Sequence, residues 1–325
     1  MFRAYKKLER VGVLGINKRN GDYISRYNHR SFYPLVDNKL ETKKLAIAAG
    51  ILVPELYARI DFPSQIESLT KLFSERDSFV VKPARGSGGE GILVIGKQLP
   101  SGFRLVSGKT ISDEHFRHHI LDILGGLYSL GGHPDSVIIE YRVDFDPVFE
   151  AISYRGVPDI RIIVFLGVPV MAMIRLPTMT SGGRANLHQG AIGCGIDIAR
   201  GATLSAVSGN SIISEHPDTG ASIQGVSIPY WNDLLTTASR TYELTKLGYQ
   251  GVDFVIDRTL GPMMLELNAR PGLNIQLANQ AGLTPRLKLV EQQITELGST
   301  VEKVAFAQRS FATSELTTTS SMELA

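Results

Sequence analysis

A chain of 325 residues, 43% hydrophobic and 20% charged, is long enough to bury a large core in two or three closely associated subdomains and reads as an ordinary globular protein. Its formal net charge of +2 favours no class of partner, and the single cysteine, Cys194, excludes an internal disulfide and suits a reducing, cytoplasmic compartment. The longest uncharged apolar run, 162–174, falls short of the ~20 residues of a membrane helix, and the N-terminus lacks the apolar stretch of a signal peptide, so a membrane-spanning chain is not expected.

Charge is nevertheless uneven along the chain. Arg3, Lys6, Lys7, Arg10, Lys18, Arg19, Arg26 and Arg30 stand against only Glu9 and Asp22 up to residue 30. Residues 1–36 therefore read as a basic segment, either a solvated arm or a contact for an anionic partner, too short for a complete nucleotide-binding domain. No DNA- or RNA-binding motif accompanies it, and no nucleic-acid partner is expected. From Asp37 the pattern turns helical: Asn38 with Glu41 fits a capping box, and Gly50 can stop the helix. An extended segment starts at 51–54, and 78–95 reads as two hydrophobic strands around a glycine-rich loop. Ser107-Gly108-Lys109-Thr110 ends like a Walker motif, but Phe103 fills the place of its first glycine, so it reads as a turn before a helix at 112–124. On that helix His115, His118 and His119 imitate a zinc site without a second ligand cluster and read as a solvated face. Strands follow at 137–143 and 160–174, the latter folded over Gly167. Residues 176–225, rich in Gly, Ser and Thr, read as long surface loops around a site. A helix at 231–247 precedes a strand pair with a turn at Gly261-Pro262, and a disordered tail is expected from about Ala312. The expected divisions are a basic segment (1–36), a part with flap and hinge (37–143), a part with a metal site (144–300) and a tail (301–325).

Two stretches carry chemistry. In SFVVKPARGSGGEGILVI, Lys82 ends a strand and Gly86, Gly88, Gly89 and Gly91 crowd the loop, where missing Cβ atoms let backbone N–H groups approach phosphates. The glycines lead into a strand rather than a helix, which excludes a Walker loop and a dinucleotide fold and leaves a flap-like hairpin. In GVDFVIDRTLGPMMLELNARPGL, Glu266 and Asn268 share one face of a strand, and Asp253 lies on its hairpin partner. Two carboxylates and an amide oxygen form a hard donor set suited to Mg²⁺ beside substrate phosphates.

Lys39 in DNKLETKKLAIAAGILVP, VVKPARGSGGEGI, IIEYRV, DIR at Asp159, GRANLHQGA at Arg184, and GVDF followed by LELNARPGL together resemble an ATP-grasp protein, most closely the glutamate ligases that modify ribosomal protein and small-peptide carboxylates. The resemblance runs from about Asp37 to Leu273. It implies an α/β (α+β) ATP-grasp fold in which two α+β subdomains grip ATP. By position it assigns Lys39 and Lys82 to the phosphates, and Arg85, Gly86, Ser87, Gly88, Gly89 and Gly91 to the flap that closes over them. Glu140, Tyr141 and Val143 would hold adenine, Asp159 and Asn186 would lie near the ribose and phosphates, and Arg184 would face the transferred phosphoryl group with Lys82. Asp253, Glu266 and Asn268 would bind two Mg²⁺, with Mn²⁺ as the alternative ion.

The activity implied is ATP-dependent carboxylate–amine ligation through an acyl phosphate, adding an amino acid such as glutamate to a peptide, protein or small-molecule carboxylate. A phosphotransferase on the same fold and a non-catalytic ATP-binding regulatory module are the competing readings. Arg161 and Arg175 would hold an acidic substrate, and His188 would orient substrate or accept a proton. Two departures from the resemblance stand out. Arg270 occupies a place where those ligases usually carry serine, and a short segment precedes Lys39 where they carry a full domain. A protein acceptor or a partner subunit is the expected source of any missing wall, and the oligomeric state, a homo-oligomer included, stays open.

Overall fold

The computed structural model describes residues 6, 8–86, 88–129 and 131–313; Arg3, Lys7, Ser87 of the expected flap and the tail from 314 lie outside the described residues. Helix α1, Lys39–Ala48, starts where Asn38 leaves the helical region and its side chain accepts the Leu40 N–H at 2.9 Å. It leads into a six-stranded antiparallel sheet: β1 (Leu56–Ile60), β2 (Phe79–Pro83), β3 (Leu93–Leu99), β4 (Gly102–Leu105), β5 (Thr110–Ser112) and β6 (Val137–Glu140), in the order β1-β6-β2-β3-β4-β5. Helices α2 (Leu69–Glu75) and α3 (Asp113–Leu124) cover one face. The period-2 alternation of strands decides what each face carries. Phe79 and Val81 of β2, with Val137 and Ile139 of β6, turn into a core with Phe103 and Phe116, whose rings lie 4.5 Å apart. Lys82, Ile138 and Glu140 fall on the opposite face, and Ile138 packs there with Leu40 of α1.

The second sheet has seven antiparallel strands: β7 (Asp159–Phe165), β8 (Val168–Leu176), β9 (Ile192–Ile196), β10 (Thr203–Ser208), β11 (Ser211–Ile213), β12 (Tyr249–Asp257) and β13 (Gly261–Asn268), in the order β11-β10-β9-β8-β7-β12-β13. β7 and β8 turn at Leu166-Gly167, both at positive φ (51° and 84°), the conformation of a tight two-residue hairpin. Strand β12 is buried along its whole length, because helices α4 (Trp231–Thr245), α5 (Thr284–Gln293) and α6 (Thr300–Ser310) and the N-terminal segment enclose this sheet.

Four expectations are corrected here. The loops read at 176–225 contain β9, β10 and β11; the glycines that suggested loops, Gly193 and Gly195, sit in β9, where added Cβ atoms would meet Leu187 at 2.9 Å and the Ala278 carbonyl at 2.7 Å. Gly261 and Pro262 begin β13 rather than form the turn, which is made by residues 258–260, with the Thr259 and Leu260 N–H groups on the Asp257 carboxylate. The tail expected from 301 opens as helix α6, fixed by a capping box between Ser299 and Glu302 and packed on β8 and α4.

The fourth correction concerns the N-terminus. Residues 8–36 are not a solvated arm: Leu14, Tyr23, Ile24 and Val36 join the core of the second sheet, and Tyr23 and Tyr27 meet Phe165 edge-on at 5.5 and 5.0 Å. Buried Asn28 donates to the Tyr249 and Ala269 carbonyls (2.7 and 3.1 Å) and accepts the Tyr249 N–H (2.8 Å), while Arg19 donates to the Pro271 carbonyl (2.8 Å). Asn28→Ala leaves three backbone groups without partners in a dry site and should cost about 2–4 kcal/mol. Urea unfolding of the variant checks this; a loss under about 0.5 kcal/mol would mean the segment is peripheral.

Candidate active site

Register places the charged groups of the first subdomain. β2 and β6 pair Val80 with Glu140 and Lys82 with Ile138, so Lys82 and Glu140 lie diagonally on one face, and the Lys82 ammonium ion-pairs with the Glu140 carboxylate. Lys43, one helical turn after Lys39 in α1, meets the other carboxylate oxygen at 3.0 Å and also donates to the Pro54 carbonyl. All three groups are buried. Burial alone would push the Glu140 carboxyl up, but Lys82 and Lys43 override it and hold the group below the usual carboxylate range. The Glu140 side chain is thus committed to lysines. The neighbouring Tyr141 N–H donates to the Glu55 carbonyl (2.8 Å) and its hydroxyl to Asp257 (2.9 Å). Val143 packs with Val255 and Met263, an apolar patch flanked by Leu265.

The glycine loop hangs between three side-chain donors. Lys39 Nζ donates to the Gly86 carbonyl at 2.5 Å, Asn186 Nδ2 to that of Gly88 at 2.6 Å, and His119 Nε2 to that of Gly91 at 2.9 Å. Gly88, Gly89 and Gly91 adopt φ of 67°, 78° and 72°, where a side chain would be strained. A Cβ at Gly86 would lie 2.2 Å from the Pro83 ring. Arg85 turns outward; its N–H is fixed by Asp135 at 2.8 Å.

Across the cleft, Lys39 Nζ also lies 3.6 Å from Glu266 Oε2. β12 and β13 set Asp253 opposite Glu266, and the Asn268 amide lies 3.2 Å from Asp253 and 3.3 Å from Glu266, so the three residues read from sequence do converge. Asp253 also stands opposite Arg161 of β7, which grips it bidentately at 2.7 and 2.5 Å, while Arg175 of β8 reaches Asp253 at 2.9 Å and pairs with Asp159. Burial would raise the Asp253 carboxyl, yet the two guanidinium groups hold it well below its ordinary value. Asp159 goes the other way, pushed up to about 6 by burial, with Arg175 opposing the rise and the Asp253 charge adding to it. Arg161 and Arg175, expected to hold substrate, are therefore spent on these carboxylates. As a cation site the cluster fits in part: Glu266 and Asn268 are half-exposed oxygen donors beside a positive charge, whereas both Asp253 oxygens already carry guanidinium bonds.

The remaining predicted residues separate. Arg184 and His188 are exposed on the loop between β8 and β9, and Arg184 lines a depression of about 610 Å³ with Gly91, His119, Tyr128 and Gln189. Arg270 does not enter the site; its guanidinium lies 4.6 Å over the Tyr33 ring. Among the described residues no three His, Cys, Asp or Glu side chains form a metal-binding group. The α3 histidines expected on a solvated face are exposed at His115 and His118, whereas His119 is half-buried against the flap. Two contributors went unread: Lys43, visible in principle from its i, i+4 spacing to Lys39, and His119, which only the fold brings to the flap.

A protein-family model described as sugar-transfer associated ATP-grasp matches residues 18–292. The chain belongs to this family. The ATP-grasp fold implied by the motifs is thereby established, while the match does not single out the glutamate-ligase branch. No curated protein matches the chain. Among solved structures, the ATP-grasp ligase PsnB complexed with a minimal precursor is 14% identical over 84% of this chain and 63% of its own, with a TM-score of 0.43. The D-alanine–D-alanine ligase from Bacillus anthracis is 14% identical over 83% of this chain and 69% of its own (TM-score 0.43), and the D-cycloserine synthetase DcsG is 14% identical over 82% and 72% (TM-score 0.43). The chain thus spans less than two thirds of the length of PsnB. Among the described residues of this ATP-grasp protein, no helix is long and apolar enough to cross a membrane.

The buried Lys82–Glu140–Lys43 group makes a pH prediction. Because the Glu140 carboxyl ionises in the fold below its ordinary value of 4.5, its stabilising contribution is complete above about pH 4.5 and is lost as pH falls through the lower folded value. Glu140→Gln leaves two buried lysines without their counter-ion and should cost about 3 kcal/mol at neutral pH. The gap from wild type should narrow as pH falls below about 4.5, because the unfolded wild-type chain then binds a proton at Glu140 that the folded chain does not. Denaturant titrations at pH 7 and pH 3.5 check this, and a gap of equal size at both would contradict it.

Proposed function

We propose that this ATP-grasp protein is an ATP-dependent carboxylate–amine ligase. The observation that carries the reading is Lys39, whose ammonium touches both the base of the glycine flap and Glu266 of the carboxylate cluster. A triphosphate lying between flap and cluster meets Lys39 and Lys82 on one side and the Glu266–Asn268 edge on the other, with the apolar Val143, Val255 and Leu265 patch as a wall for the purine.

A carboxylate oxygen of the acceptor attacks the γ-phosphorus, the bond from that phosphorus to the bridging oxygen breaks, and its electrons leave with ADP. The amine nitrogen then adds to the acyl carbon, loses a proton, and phosphate departs. Lys39, Lys82 and the exposed Arg184 supply positive charge where the transferring oxygens gain negative charge. Glu266 and Asn268, with Asp253 behind them, would hold Mg²⁺, which supplies further charge neutralisation at the phosphates. Asp253 also keeps Arg161 and Arg175 in a fixed row under the cluster. The mechanism requires no nucleophilic side chain, and the sole cysteine, Cys194, is buried in β9 with its thiol pushed up to about 12 by that burial. An amino acid such as glutamate as the amine, and a peptide or protein as the carboxylate, are the substrates that the sequence motifs favour.

Incubation with ATP, Mg²⁺, hydroxylamine and pools of carboxylates and amines tests the reading. Hydroxamate together with ADP is the expected result. A stable phosphorylated alcohol would establish a phosphotransferase, and nucleotide binding without turnover on any pool a regulatory module. Glu266→Ala should lower turnover by 100-fold or more, on the order of 3 kcal/mol in the barrier, and unchanged activity would remove Glu266 from the metal site. Arg184→Ala should lower kcat with little change in ATP affinity; a loss confined to ATP binding would place it elsewhere.

A further inference from the structure

The three carbonyl anchors of the glycine flap are not equivalent. Lys39 comes from α1 and also lies 3.6 Å from Glu266, and Asn186 comes from the loop between β8 and β9. His119 comes from α3, in the depression that Arg184, Tyr128 and Gln189 also line. It lies on α3 between Phe116 and Ile120, which are 2% and 0% exposed in the aromatic core on the face of the sheet opposite Lys82 and Glu140. Its Nε2 must carry the hydrogen, because its partner, the Gly91 carbonyl, can only accept. Gly91 is held as well by the Tyr128 ring, against which a Cβ at this position would press at 2.7 Å, and the His119 and Tyr128 rings lie 5.5 Å apart.

A trans peptide directs its N–H opposite to its C=O. With the Gly91 carbonyl drawn to α3, the Ile92 N–H in the same peptide is turned toward the face that carries Lys82. We infer that His119 is a positioning residue for nucleotide: through the Gly91 carbonyl it holds the last peptide of the flap so that the Ile92 N–H meets a phosphate oxygen. The inference rests on the reading of the flap as an ATP lid and names an anchor for it on α3.

The test compares His119→Phe and His119→Gln with the unmodified full chain. The Gln amide nitrogen reaches about as far as Nε2 and can donate to the same carbonyl, whereas Phe fills the space and donates nothing. For His119→Phe, ADP–Mg²⁺ affinity by calorimetry should fall about 3–10-fold, the effect of one positioning hydrogen bond, and amide exchange across 88–92 should accelerate. His119→Gln should recover most of both. Where turnover is measurable, the loss should appear in KM for ATP, with kcat and the KM of the other substrate unchanged. Gly91→Ala, which drives the peptide off Tyr128 while leaving α3 intact, should reproduce the loss of affinity if His119→Phe does not fold. Equal ADP affinity and equal exchange in wild type and His119→Phe would overturn the inference. So would a His119→Gln variant as impaired as His119→Phe, since that pattern belongs to packing. An unmodified chain that binds no nucleotide would overturn the ATP reading and this inference together, whereas nucleotide binding that His119→Phe leaves intact overturns the inference alone.

Discussion

Glu140 is the charge around which the cleft is organised. A carboxylate buried on a strand is tolerated only with counter-charges, and two lysines from different elements converge on it: Lys82 from the neighbouring strand and Lys43 from α1. That requirement fixes α1 against the sheet. Once α1 is fixed, Lys39, one turn away, is delivered to the space between flap and carboxylate cluster. Leu40 seals one side of the helix on Ala84 and Ile138, and Ala46 enters the core of the second sheet. A single short helix thus carries Lys43 to Glu140 and Lys39 to the flap, and joins both subdomains.

The second sheet answers with a row set by register alone. Glu266, Asp253 and Arg161 stand opposite one another on three adjacent strands, and Arg175 on the fourth is drawn to both Asp159 and Asp253. Two arginines against Asp159 and Asp253 leave the row close to neutral, and Glu266 at its open end is met by Lys39 and the Asn268 amide. That end faces the flap. A polyanion with its cation fits this arrangement because the protein presents a positive lip and one available acid, rather than a pool of negative charge that would repel phosphate.

Local signals in the sequence were the legible ones. Asn38 and Ser112 cap helices where their side-chain chemistry places them, Gly167 marks a hairpin, and Glu266 and Asn268 share a face as a period of two requires. The failures came where composition stood in for contact. Gly193 and Gly195 looked like loop residues, yet they thin β9 so that the helical turn Ile275–Ala278 can approach. The basic character of residues 1–30 masked the apolar Leu14, Tyr23 and Ile24. Arg161 and Arg175 looked available for substrate because a sequence does not print the register that sets them on Asp253. His119 looked solvated because its partner is a backbone carbonyl 28 positions away.

The tethering of Asn28 to Tyr249 and Ala269 has a consequence for how the chain acquires its structure. Those bonds span 221 and 241 positions, so the second core cannot close until most of the polypeptide exists. The six-stranded sheet, by contrast, is built wholly from residues 56–140 and encloses its own aromatic core. During synthesis the first lobe has all its partners while the early N-terminal residues are still waiting for theirs. Loop-closure entropy makes the order unequal: the nucleotide-side lobe forms from near neighbours, and the carboxylate row is assembled last, around a lobe already in place.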